Sequence, residues 1–69
     1  MAFIILDWGY DQSGDYGSDV VAVFGNEVEV EKYFSGLSSF ELGSKSVEQW
    51  DGTQKQKSWT GEKFLSRSE

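Results

Sequence analysis

The fold is decided by residues 20–37, VVAVFGNEVEVEKYFSGL, where an apolar run passes directly into an acidic segment with helical spacing. The run from Val20 to Phe24 is short, apolar and mostly β-branched, which predicts a strand. Beyond it, apolar side chains recur at the spacing of one helical face, at Val30, Tyr33, Phe34 and Leu37. The segment therefore predicts a strand followed by a helix over residues 26–37.

The start of this helix has two interpretations. Gly25-Asn26 has the composition of a two-residue hairpin turn, after which Glu27 to Glu31 alternates like a strand. Alternatively, Asn26 caps a helix and Glu29 completes an Asn-x-x-Glu capping box. Glutamates in the first turn complement the helix dipole, and Gly36 lies where a helix would end. These features favour the helix, and the strand remains the alternative.

The segments on either side predict an antiparallel sheet. Phe3 to Trp8 is a second apolar run, which predicts a buried strand. Residues 9–18 are rich in Gly, Asp and Ser, and they predict a long loop joining this strand to the one at residues 20–24. Two strands with one connecting loop most simply form an antiparallel hairpin.

A second hairpin is predicted near the C-terminus. Asp51-Gly52 lies between two extended runs, which is typical of a type I′ turn. Tight pairing around this turn would set Trp50 opposite Thr53 and Glu48 opposite Lys55, and it would place Trp50 and Trp59 on one face. The polar, lysine-bearing residues 53–58 predict a strand at the edge of the sheet.

These elements predict a single α+β domain over residues 1–69, with an antiparallel sheet of about four strands and one helix packed on one face, in the order β-β-α-β-β. The strand order is not derivable from the sequence. Residues 38–46 predict a connection from which Phe40 and Leu42 reach the core. Residues 61–69 predict a polar tail whose Phe64 and Leu65 can pack back. The helix is expected to pack on a sheet face comprising Ile4, Leu6, Val21, Val23, Val47 and Trp50.

The composition excludes several kinds of chemistry. The 69 residues include 12 acids, 6 bases, no His and no Cys, for a formal charge of −6. Disulfides, metal sites built on Cys or His, and catalysis by imidazole or thiolate are therefore impossible. The acidic balance argues against direct binding to nucleic acid or an anionic membrane. We expect no enzyme activity, no cofactor and no metal.

The charge is unevenly distributed along the chain. Residues 1–31 contain seven acids and no Lys or Arg, whereas residues 32–69 contain all six bases and five acids. Such asymmetry suggests either an interaction face or a solvated surface kept soluble by like charge. Aromatic side chains next to acids can anchor and steer a protein interface, whereas Trp8 is expected to be core. The predicted partner-binding residues are Asp11, Asp15, Asp19, Glu27, Glu29, Glu31, Tyr10 and Tyr16.

The aspartates of the first loop allow a second interpretation. Asp7, Asp11, Asp15 and Asp19 recur every four residues, and divalent cations bind clustered carboxylates. The spacing does not match the Asp-x-Asp-x-Asp-Gly calcium loop. A cation-binding domain therefore remains an alternative, as does a solvated loop without a ligand.

The order of the segments resembles that of small proteins of phages and their bacterial hosts. The resemblance covers roughly residues 3–50 and rests on an apolar first strand, a polar loop, Val-Val-Ala-Val-Phe, Glu-Lys-Tyr-Phe and Val-Glu-Gln-Trp. In size and acidity the chain is similar to phage-encoded inhibitors, namely anti-CRISPR proteins, anti-restriction DNA mimics and inhibitors of host polymerase. The resemblance implies action without chemistry, by occupying a basic groove on a host enzyme. It carries over no residue-level motif.

The leading hypothesis is a non-enzymatic inhibitor that binds a host nucleic-acid-binding protein with a basic surface, by steric block or partial DNA mimicry. Such a protein would act in the cytoplasm of a bacterial host, without contacting membrane or nucleic acid itself. A self-associating module, such as a homodimer, is the alternative, because a small core without disulfides or metal is expected to be marginally stable.

Overall fold

Residues 1–67 are described by a computed structural model, and they form four strands and three helices. The strands are β1 (Ala2–Tyr10), β2 (Tyr16–Phe24), β3 (Lys45–Asp51) and β4 (Gln54–Thr60). The helices are α1 (Glu27–Ser35), α2 (Ser39–Gly43) and α3 (Gly61–Ser66). The strands make one antiparallel sheet in the order β2-β1-β3-β4. The predicted α+β class with a four-stranded antiparallel sheet is confirmed, with two short helices beyond the one expected.

Helix α1 forms where the capping pattern predicted it. The Asn26 side chain accepts a hydrogen bond of 2.9 Å from the backbone N–H of Glu29, and Gly36 caps the other end. Glu27 and Glu29 lie in the first turn, where negative charge complements the helix dipole. The hairpin interpretation of Gly25-Asn26 is therefore wrong.

The core lies between the helices and one face of the sheet. The sheet contributes Phe3, Ile5 and Val47. These side chains pack against Val30 and Phe34 of α1 and Phe64 of α3, and all six are nearly inaccessible to solvent. The predicted helix face is confirmed, because Tyr33 and Leu37 also pack against this cluster.

The predicted sheet face is wrong except at Val47. Strand side chains alternate between faces, so the burial of Phe3 and Ile5 against the helices places Ile4 and Leu6 on the opposite face. Strand β2 follows the same alternation through its register, in which Phe24 pairs with Phe3. The misassigned residues are Ile4, Leu6, Val21, Val23 and Trp50. The sequence does not show which face of β1 is covered by helices, because residues 3–6 are all apolar and both faces of the strand therefore carry apolar side chains.

The segment predicted as a polar tail forms part of the core. Thr60 caps α3 by accepting a hydrogen bond of 3.2 Å from the N–H of Lys63. Phe64 is 0% exposed, and its ring lies 5.2 Å from that of Trp59 and 5.8 Å from that of Phe34, in edge-on geometry. The prediction that Phe64 and Leu65 pack back is confirmed. Residues 68–69 of the predicted tail lie outside the described range.

The predicted connection at residues 38–46 contains α2 and the start of β3. Ser38 caps α2, and Leu42 packs against the core as predicted. Phe40 is 89% exposed, so its predicted burial is wrong. Residues two apart in a helix do not share a face, and the turn that directs Leu42 inward therefore directs Phe40 outward.

The β3–β4 hairpin differs from its predicted register. Asp51 pairs with Gln54, and of the two turn residues only Gly52 has a positive φ, the sign pattern of a type II′ turn. A bulge next to Trp50 then shifts the pairing, so that Trp59 lies opposite Val47 and on the other face from Trp50. The predicted shared face is wrong, whereas the edge position of β4 is confirmed.

Glu48 and Lys55 form an ion pair in this hairpin although the observed register differs from the predicted one. Glu48 has Ser58 as its backbone partner, yet its carboxylate lies 3.5 Å from the ammonium of Lys55. The two side chains meet diagonally across the strands, which long side chains can do.

Candidate functional site

The β1–β2 hairpin extends beyond the rest of the sheet. Pairing of β1 with β3 ends at Asp7, and from Trp8 onward β2 is its strand neighbour in the described chain. Every residue from 8 to 21 is exposed. We call residues 8–19 the projecting hairpin, and it contains five of the eight predicted partner-binding residues.

The loop of this hairpin is shorter than predicted. Strand pairing continues through Gly9 with Gly17 and Tyr10 with Tyr16, so the loop comprises residues 11–15 rather than 9–18. Glycine adopts extended backbone as readily as turn conformations, and the directly opposed tyrosines supply a cross-strand aromatic pair. The glycine content therefore did not mark the limits of the loop.

The loop is organised by the carboxylate of Asp11. One of its oxygens accepts hydrogen bonds from the N–H of Ser13 at 2.9 Å, the hydroxyl of Ser13 at 2.8 Å and the N–H of Asp15 at 2.9 Å. These donors, the Ser13 hydroxyl first, hold the pKa of Asp11 below its usual value. Gly14 completes the turn with a φ of 87°, a conformation that favours glycine.

A row of three aromatic rings covers one side of the projecting hairpin. The rings of Trp8 and Tyr16 stack at 5.9 Å, and those of Tyr10 and Tyr16 lie 5.1 Å apart at a tilt of 57°. Tyr10 is 78% exposed and Tyr16 is 62% exposed. The row thus presents a large, preorganised apolar surface to solvent.

Trp8 belongs to this row and not to the core, so its predicted burial is wrong. No helix among the described residues covers this face of the sheet, and the indole is 38% exposed. Its N–H donates to the hydroxyl of Ser46 at 2.8 Å, which fixes the ring against β3. The alternation Ile4, Leu6, Trp8, Tyr10 carried the signal for this shared face.

The opposite side of the hairpin carries carboxylates. Asp7 and Asp19 face each other across the strands, with Gly9 and Gly17 next to them. Residues 7–11 and 15–19 together line a shallow depression of about 260 Å³. The hairpin is therefore two-sided, with rings on one side and acids on the other and at the tip.

The four aspartates differ in their partners. Asp7 lies 3.0 Å from the ammonium of Lys45, whose hydrogen bond lowers the pKa of Asp7, with a smaller contribution from the Ser44 hydroxyl. In the described part of the chain, no Lys or Arg nitrogen lies within 4.0 Å of the carboxylates of Asp11, Asp15 or Asp19. Within the described residues, Lys45 therefore balances only Asp7, whereas Asp11 and Asp15 in the loop and Asp19 opposite Asp7 have no Lys or Arg partner.

The three predicted glutamates lie elsewhere. They sit on α1, which begins beyond the far end of β2, a strand of nine residues that spans about 30 Å. Arg67 donates to the carboxylates of Glu27 and Glu31 at 2.8 Å each, and its guanidinium lies 3.8 Å from the Phe64 ring centre. Glu27 and Glu31 thus tie α1 to α3, and Glu29 is an exposed residue of the first turn.

The structure therefore separates the predicted partner-binding residues into two groups. The hairpin brings together Tyr10, Tyr16, Asp11, Asp15 and Asp19, while α1 carries Glu27, Glu29 and Glu31. Over residues 1–67, no three or more acidic side chains are arranged to hold a metal ion.

The Asp11 bonds make a pH-dependent prediction. Because folding lowers this pKa below 3.8, the stabilisation that the carboxylate gives the loop is present above that pH and is lost as the pH falls through the folded value. We expect the amide-proton shifts of Ser13 and Asp15, followed by NMR, to titrate in the unmodified protein. Asp11→Asn keeps the accepting oxygen, so the Ser13 shift should no longer follow the titration of residue 11, whereas Asp11→Ala should disorder the loop at every pH. Identical behaviour of the two variants would contradict the assignment.

No protein-family model, curated protein or solved structure matches this chain. Among the described helices, none has the length and apolar character needed to traverse a bilayer. The projecting hairpin is therefore the feature of the molecule from which a function can be inferred.

Proposed function

We propose that this protein is a non-enzymatic inhibitor that binds a basic, nucleic-acid-binding protein of a bacterial host through the projecting hairpin. The observation that carries the proposal is the hairpin itself. It exposes the rings of Trp8, Tyr10 and Tyr16 on one side, the carboxylate of Asp19 on the other and that of Asp15 in the loop, and neither carboxylate has a cationic partner among residues 1–67.

The aromatic side and the acidic side of the hairpin would contribute to binding in different ways, the first through apolar burial and the second through electrostatic attraction. Large rings in a protein interface bury extensive apolar area at low conformational cost, and they dominate affinity when they enter a pocket. Carboxylates around them accelerate encounter with a positive surface and reject acidic partners. A basic protein with an apolar recess in its groove is therefore the favoured partner.

The mechanism is obstruction of the groove with local imitation of nucleic acid. Duplex DNA carries one negative charge per about 1.7 Å of axis, so the carboxylates of one hairpin replace only a few phosphates. The remaining volume of the domain then blocks the groove. The glutamates of α1 do not extend this surface, because two of them are paired with Arg67.

The resemblance to phage-encoded inhibitors supports a role in counter-defence. A CRISPR effector or a restriction enzyme presents the basic groove that the mechanism needs, and its inhibitor works in the cytoplasm of the bacterial host. No chemistry by the inhibitor is required, in keeping with a chain that has neither imidazole nor thiol.

The test is capture followed by competition. The immobilised protein is exposed to bacterial lysate, bound proteins are released with a salt gradient and identified by mass spectrometry, and the purified partner is assayed for nucleic-acid binding. We expect a basic partner whose nucleic-acid binding falls as this protein is added. A partner that keeps its nucleic acid at saturating concentrations of this protein contradicts the proposal.

Two matched variants control the capture. Tyr16→Ala removes the central ring of the row, which is 62% exposed, and Phe40→Ala removes a ring that is 89% exposed from α2, on the other layer of the domain. Capture should weaken with Tyr16→Ala and persist with Phe40→Ala. Equal loss in both variants would indicate nonspecific hydrophobic adsorption.

A further inference from the structure

The outer edge of β2 is open. This strand pairs with β1 on one side, and within residues 1–67 no other element forms backbone hydrogen bonds with residues 16–24. An open strand edge presents a row of N–H and C=O groups that can template another strand.

The two edges of the sheet are treated differently. Strand β4 carries Lys55 and Lys57 and pairs through a bulge, which are devices that discourage edge-to-edge pairing. Strand β2 contains no Lys, Arg or Pro, and its side chains from Tyr16 to Val21 are exposed. Strand β2 also has a bulge, at Val21, because Ile5 pairs with Ala22 and Leu6 pairs with Val20. Residues 16–20 lie on one side of this bulge and form an uninterrupted open edge.

We propose that an extended segment of the basic partner adds to the sheet as a fifth strand along Tyr16–Val20. This inference rests on the proposed function and specifies how the hairpin is engaged. Backbone hydrogen bonds to the edge supply affinity, and alternate side chains of the incoming strand supply specificity.

The alternation of β2 defines the sequence of that segment. Tyr16, Ser18 and Val20 lie on the face of the aromatic row, and Asp19 lies on the acidic side with Gly17. Apolar or aromatic residues of the incoming strand would pack beside Tyr16 and Val20, while Lys or Arg at the intervening positions would meet Asp19. A Cβ built on Gly17 meets nothing within 4 Å, so a long basic side chain has room to cross there.

Charge selects a foreign strand over a second copy of this chain. Antiparallel pairing of β2 with itself would bring Asp15 and Asp19 of both copies together, within a segment that contains no base from residue 1 to 31. Like charges opposed across strands are destabilising. A basic segment converts the same contacts into attraction.

The experiment uses three synthetic peptides and the isotope-labelled full chain, followed by NMR. The first peptide alternates, Val-Lys-Tyr-Lys-Val-Lys-Thr, and the second has the same composition with its lysines in one block. The third is the alternating peptide with methyl groups on every second backbone nitrogen, so that the edge facing β2 cannot donate hydrogen bonds. We expect the alternating peptide to shift and protect the amides of residues 16–20, and to bind at least ten times more tightly than either of the other two.

The outcomes separate this inference from the proposed function. Equal binding of the alternating and block peptides, or full binding of the methylated peptide, overturns strand addition and leaves capture by the hairpin intact. Shifts confined to residues 54–60, absence of binding at millimolar peptide, or a dimer joined through β2 likewise overturn it. Failure of the proposed function would instead appear as a captured partner that keeps its nucleic acid.

Discussion

Replacing Phe64 by alanine is expected to remove at least about a third of the folding free energy, and all of it if the domain is marginally stable. Its ring is 0% exposed and lies edge-on to three other rings, those of Phe3, Phe34 and Trp59. Truncating a buried Phe to Ala costs about 3–5 kcal/mol, and a domain of this length has about 3–10 kcal/mol in all. Urea unfolding followed by circular dichroism measures the loss.

Phe40→Ala is the matched control, since it deletes the same atoms from a ring that is 89% exposed. It should change the free energy of unfolding by no more than about 0.5 kcal/mol. If Phe64→Ala were as harmless as Phe40→Ala, α3 would not close the core as described.

Reversing two charges of the projecting hairpin, one in its loop and one near its base, is expected to abolish partner binding. Asp15→Lys with Asp19→Lys leaves the Asp11 carboxylate in place to organise the loop, so the fold should persist. Against a basic surface the new lysines replace attraction by repulsion, and like charges across an interface cost several kcal/mol. Affinity for the captured partner, measured by titration calorimetry, should fall by about 100-fold or more.

A second double variant changes the net charge equally at another place. Glu29→Lys with Asp51→Lys alters exposed positions at the first turn of α1 and the β3–β4 turn. Its affinity should stay near that of the unmodified protein, and its binding should weaken with salt in the same way. An equal loss in both double variants would mean that net charge, and not the hairpin, determines binding.

The local elements were predictable because local chemistry determines them. Asn26 and Glu29 indicate the start of α1 within four residues, and the apolar spacing of Val30 and Phe34 indicates its buried face. The lysines of β4 likewise indicated an edge strand. In each case the deciding interaction joins neighbours in sequence.

The face of the sheet was not predictable, for a physical reason. Ile4 and Ile5 are equally apolar, and only the placement of the helices determines which one is covered. If the wrong face of β1 is taken as the buried one, every side chain of the strand is assigned to the wrong face. The same error then extends to the neighbouring strand β2, where Val21 and Val23 were assigned to the core. The same ambiguity concealed the aromatic row, because Trp8 was assigned to a core that lies on the other side.

The candidate site was predicted in part. The exposure of Tyr10 and Tyr16 followed from their polar surroundings. The separation of the aspartates from the glutamates did not, since it depends on the nine-residue length of β2 between them and on Arg67 binding Glu27 and Glu31. Long-range pairings of this kind leave no periodic trace in a sequence.

The contact between Phe3 and Phe64 sets a condition on when the domain can complete its core. The two rings lie 6.4 Å apart, yet they come from the first and last elements of the chain. A ribosome releases residues in order, so the buried face of β1 is fully covered only after α3 has been synthesised. We therefore expect chains that stop before α3 to leave part of this core exposed and to be degraded by proteases.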